Sequence, residues 1–165
     1  MDENRILYSE HDGVHFLRFH GDILHTLAPA LDSFLKRLAE SPEPPSFLLD
    51  LTETRSIDST MLGLLARVAK MAKEGGTPPP TLVCPNDDII DLLVGIGFDE
   101  VFSLVSCDGA PLGDGHEIAH AETDNRALTE TMLAAHQELI ALKADNRLLF
   151  EDVIDLLQRS LDESQ

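Results

Sequence analysis

The sequence predicts an α/β fold, a mixed β-sheet with helices packed on it, followed by a C-terminal long helix or helical hairpin. Two observations predict the domain. Strand-type and helix-type runs alternate over residues 5–105, and the run at Phe47–Leu51 is short and continuously apolar, as in a strand buried on both faces. A third predicts the extension: from about Thr123, Leu128, Met132, Ala135, Leu139, Leu142, Asn146, Leu149, Val153 and Leu156 recur by fours and threes.

Residues 5–20 read as a hairpin, with Ile6 and Tyr8 before His11-Asp12-Gly13 and Val14, Phe16, Leu17 and Phe19 after it. Asp-Gly supplies the left-handed residues of a two-residue turn. Gly21 breaks the second strand. Leu27, Leu31, Phe34, Leu35 and Leu38 then follow helical spacing, Pro29 falls in the first turn, and Ser41-Pro42-Glu43-Pro44-Pro45 ends the helix. After the strand closed by Asp50, Ile57-Asp58-Ser59-Thr60 opens a helix to about Lys73, stopped by Gly75-Gly76. Pro78-Pro79-Pro80 leads into a strand, Thr81–Cys84. Asn86 caps a short helix with Asp87 and Asp88 in its first turn, ended by Gly95. Val101–Val105 is the last strand.

These elements divide the chain into a domain (1–105), a linker without periodicity (106–122) and a helical extension (123–165). Asn146 falls on an a position, where one polar residue sets coiled-coil register. Residues 128–156 are therefore read as a seam for a homodimer. The alternative is a helix folded back on the domain, because Ile140, Phe150, Ile154, Leu157 and Leu161 widen the apolar stripe. The seam reading makes the extension separable, so that truncation after Val105 would leave a folded domain.

Composition excludes several functions. Thirty acidic and twelve basic residues give a net charge of −18. Nucleic acids and anionic membranes are bound through clustered Lys and Arg, so neither is an expected partner, whereas a basic protein surface would be attracted. Met1-Asp2-Glu3-Asn4 has no leader character, and no apolar run reaches bilayer length. A cytoplasmic location is expected. Cys84 and Cys107 lack metal or redox spacing, and neither His11/His15 nor His116/His120 suggests a ligand set. No catalytic residue, metal or cofactor is assigned, and an enzyme is not expected.

The informative segment joins a buried strand ending in Asp50 to Asp58-Ser59-Thr60 at a helix start. Unpaired N–H groups and the helix dipole suit that position to an added phosphate. On spacing alone, Asp58 or Ser59 reads as a plain helix cap.

With Leu62-Gly63 completing the pattern, and Gly21 and Thr26 in the loop after the hairpin, residues 5–105 resemble the STAS domains of sulfate transporters and anti-sigma-factor antagonists. The resemblance implies that Ser59 is a phosphoacceptor and that Asp58, Ser59, Thr60, Met61, Leu24 and Thr26 belong to a partner-binding surface. It further implies that the unphosphorylated form binds an anti-sigma factor and/or serine kinase, and that a PP2C-type phosphatase resets the switch. Met61 stands where the family usually has Gly, and Leu24 where Asp is common. A STAS scaffold or ligand-sensing module that is never phosphorylated is the other reading of the same resemblance.

Overall fold

The computed structural model describes residues 4–107 and 115–163. The terminal residues 1–3 and 164–165, and residues 108–114 of the expected linker, lie outside the described residues.

The first hairpin forms as expected. Strands β1 (Arg5–His11) and β2 (Val14–Ile23) pair antiparallel around Asp12 (φ 51°) and Gly13 (φ 82°), both left-handed as a type I′ turn requires. Helix α1 (Ala28–Ala39) is followed by β3 (Ser46–Asp50) and β4 (Thr54–Ile57). Helix α2 (Ser59–Glu74) leads to β5 (Thr81–Val83) and α3 (Asp87–Gly95), and β6 (Ser103–Val105) ends the first stretch. A two-residue strand β7 (His116–Glu117) precedes α4 (Asn125–Leu142) and α5 (Asn146–Glu163).

The strands line up as β6-β5-β3-β2-β1-β7, with β4 pairing on β2 beyond the end of β3. The inner pairs β2–β3, β3–β5 and β5–β6 are parallel, and β1 joins both neighbours antiparallel. Leu17, Phe19, Leu49 and Leu82 on these strands are fully buried, beside Leu31, Leu64, Leu65 and Val68 from α1 and α2. The predicted mixed sheet with packed helices is what the chain forms.

Three details depart from the sequence reading. The stretch taken as linker contributes β7, which pairs with Leu7 and Tyr8 of β1. Helix α3 ends at Gly95 as read, but the left-handed residue is Gly97 (φ 94°), after which a 3-10 turn at Phe98–Glu100 shortens the expected last strand Val101–Val105 to Ser103–Val105. The extension is a hairpin broken at Lys143–Asp145, and its apolar spacing is split. Ala135 and Leu139 of α4 belong to the domain's buried cluster, whereas Leu149 and Leu156 of α5 face outward at 61% and 64% exposure.

Asn146 illustrates why the a-position reading does not hold there. It is fully buried at the start of α5, and its Nδ2 donates to Leu139 O (2.8 Å) and Ile96 O (3.0 Å). One amide thus satisfies a carbonyl near the end of α4 and another at the end of α3, fixing the hairpin to the domain.

Candidate functional site

Asp58 organises the start of α2. It is the N-cap residue in extended conformation, and its Oδ1 accepts the Met61 N–H at 3.0 Å. Its other oxygen accepts the backbone N–H of His25 at 2.7 Å. One carboxylate therefore satisfies the first turn of α2 and holds the loop at 24–26 against it.

The strands bring these pieces together. Gly21, Asp22 and Ile23 of β2 run beside Thr54, Ser56 and Ile57 of β4, with a bulge between Gly21 and Asp22. Asp58 N–H donates to Ile23 O (3.0 Å), so both chains leave the sheet side by side. Upstream, buried Asp50 accepts from Thr52 N–H (2.8 Å) and Arg18 Nε (3.1 Å), which shapes the turn between β3 and β4. At the rim, hydrogen bonds from Arg55 and Ser56 hold the exposed Asp22 carboxyl below the usual carboxylate range.

Of the residues assigned to the site, Leu24 and Thr26 are exposed, and Asp58 and Ser59 are half-buried. Thr60 and Met61 point inward, at 3% and 0% exposure. Met61, in the usual glycine position, thus fills core space and meets no outside surface.

The hydroxyl of Ser59 is engaged by the extension. Ser59 Oγ lies 2.8 Å from His136 Nε2, and His136 Nδ1 lies 2.6 Å from Met132 O. A carbonyl only accepts, so Nδ1 carries a proton, and in that tautomer Nε2 is the acceptor. Ser59 is therefore the donor. His136 is 2% exposed, with its ring edge-on to Phe150 of α5. Sequence reasoning singled out neither His25 nor His136; both act through partners distant in the chain, and no local spacing marks them.

Along α2 the contact with α4 continues. A Cβ on Gly63 would overlap the backbone of Ala135 and come within 2.7 Å of its Cβ, so α4 packs directly on the glycine. Further on, Lys70 Nζ pairs with Glu138 Oε1 at 3.3 Å. Among the described residues, no helix is long and apolar enough to cross a membrane, and no three His, Cys, Asp or Glu side chains assemble as a metal site.

The sheet order and the Asp58-capped start of α2 define an α/β domain in which the end of β2, the start of α2 and the loop between β2 and α1 lie side by side. The STAS domain model matches residues 5–108, and the chain belongs to that family. The fold is similar to that of a protein from Thermotoga maritima assigned as an anti-sigma factor antagonist. That protein is 20% identical, with 62% of this chain and 86% of that one covered and a TM-score of 0.54. It is also similar to an anti-sigma factor antagonist from Mycobacterium paratuberculosis, 22% identical over 64% of this chain and 88% of that one, with a TM-score of 0.53. No curated protein matches the chain.

Proposed function

We propose that this protein is an anti-sigma factor antagonist acting in the cytoplasm through partner switching. With Ser59 bare, it binds an anti-sigma factor and/or serine kinase through the loop at 24–26 and the head of α2. Phosphorylation of Ser59 releases that partner, and a PP2C-type phosphatase restores binding. Self-association through the exposed part of residues 128–156 belongs to the same proposal.

The observation that carries this reading is the Asp58 clamp. It joins the loop and the helix head into one surface and leaves a hydroxyl at the first helical position, where a dianion is tolerated by the helix dipole. A phosphate there adds about −1.5 to −2 charges beside an existing carboxylate. A partner fitted to the bare hydroxyl then loses about 2–5 kcal/mol where the contact is buried, or tenfold in affinity per about 1.4 kcal/mol.

The test is calorimetry of the anti-sigma partner against Ser59→Ala and Ser59→Asp, with circular dichroism to establish that both are folded. Ser59→Ala should bind and Ser59→Asp should not. Equal affinities would remove the switch.

A second reading, a STAS scaffold that is never phosphorylated, is favoured by one observation: the Ser59 hydroxyl already has a partner in His136. The intact mass of protein purified from its own host separates the two, since only a phosphorylated pool carries an added phosphate.

A further inference from the structure

The extension covers the part of α2 on which the proposed switch depends. Three contacts run along one side of that helix. Ser59 donates to His136, Gly63 receives the backbone of Ala135, and Lys70 pairs with Glu138. Asn146 pins the far end of the hairpin to the end of α3. His136 is buried with both ring nitrogens satisfied, one by Ser59 and the other by its own helix. The Ser59 hydroxyl thus takes part in an internal interface between α2 and α4.

We propose that the Ser59–His136 hydrogen bond latches the α4–α5 hairpin onto the side of α2, and that phosphorylation of Ser59 releases this latch and so couples the modification to the position of α4. This rests on the reading above for the phosphorylation of Ser59, but the latch itself is a property of the free chain. Forming a phosphate ester on Oγ replaces the hydroxyl proton, so the donor to His136 Nε2 disappears. His136 Nε2 then faces a phosphate oxygen, and the hydroxyl proton that joined the two groups is gone. Immediately beside it, the Gly63–Ala135 contact leaves α4 no room to shift inward. Removing the latch therefore biases α4 outward, uncovering the face of α2 that bears Gly63.

His136 is on this account a positioning residue, and three full-length variants examine it by amide hydrogen exchange with no partner present. His136→Ala should speed exchange across residues 125–142 about tenfold, the loss expected for a half-buried hydrogen bond. Exchange in β3 and β5 should not change. His136→Gln, whose side-chain oxygen accepts a hydrogen bond, should recover part of the protection. Protein carrying phosphoserine at position 59 should open α4 at least as far as His136→Ala does.

Unchanged protection of α4 in His136→Ala would overturn the latch. So would a phosphoserine protein whose α4 is better protected than wild type, because the phosphate would then be held by a protonated His136. These outcomes are independent of the calorimetric test. Ser59→Ala and Ser59→Asp binding alike would remove the switch and leave the latch standing. The expected binding contrast with no change in exchange would remove the latch and leave the switch.

Discussion

Ala135 presents its backbone to the one position on α2 that has no side chain, Gly63. The chain thereby brings two helices together at backbone distance, within the first half of the helix that Asp58 caps. A glycine in mid-helix weakens it by about 0.5–1 kcal/mol, and here that weakness is offset by the approach of α4.

Gly63→Ala should therefore act in two opposed ways. The methyl favours helical α2 by about 0.5–1 kcal/mol, while forcing it against the Ala135 backbone costs about 1–3 kcal/mol. The second effect exceeds the first, because helix backbone cannot yield as a flexible side chain does. Chemical denaturation should give a lower midpoint than wild type, and limited proteolysis should cut first in residues 115–124. A midpoint equal to or above wild type would mean that α4 is not seated on α2 in solution.

Asp32 supplies the pH dependence. It lies on α1 and bonds to Arg67 of α2 and to Lys36 one turn along its own helix (2.9 Å). Burial raises its carboxyl pKa, but the hydrogen bonds from Arg67 and Lys36 outweigh that and hold it below the ordinary range. The folded state then binds a proton less readily than the unfolded chain. The resulting stability is fully present above the unfolded carboxylate pKa of about 3.9 and lost as pH falls through the lower folded value. Asp32→Asn should cost about 1–2 kcal/mol at neutral pH, chiefly through Arg67, since the Lys36 head is in water. Thermal melts from pH 7 to pH 2 should show the variant approaching wild type at the acid end. A constant difference across that range would assign the loss to packing.

Self-association, if it uses the extension, must use α5. Leu149 and Leu156 remain exposed along its outer side, with Leu148 at 87%, whereas Ala135 and Leu139 are spent on the domain's own core. Leu149→Gln combined with Leu156→Gln should reduce the assembly to a monomer in light scattering and leave helix content unchanged. A wild-type chain already monomeric at the same concentration would remove the homodimer. Truncation after Val105, by contrast, strips α4 from α2. The shortened chain should aggregate, opposite to what a separable coiled coil implies.

Much of the domain was legible because its signals are local. Asp12-Gly13 dictates the hairpin turn, Asn86 caps α3 with hydrogen bonds to the N–H groups of Asp88 and Ile89, and Asp58 caps α2. What escaped is held by partners far off in the chain. β4 reads Thr-Arg-Ser-Ile, with no apolar alternation, and exists because the end of β2 offers it an edge. β7 is two residues long and polar, and depends wholly on β1. The spacing over 128–156 described an amphipathic helix correctly but could not say what it packs against. Heptads suit another copy of the chain or a neighbouring helix equally well, and here Gly63 and Asn146 decide for the neighbour. The capped serine could be read from sequence; the histidine that meets it could not.

Ser59 and His136 are separated by 77 positions. Ribosomes add about 5–20 residues per second, so a growing chain carries the serine for about 4–15 s before the histidine has been joined to it. Each molecule is born with the hydroxyl uncovered and acquires its cover only after α4 has been made. An enzyme that modifies nascent chains therefore meets a different substrate from one that waits for the finished protein.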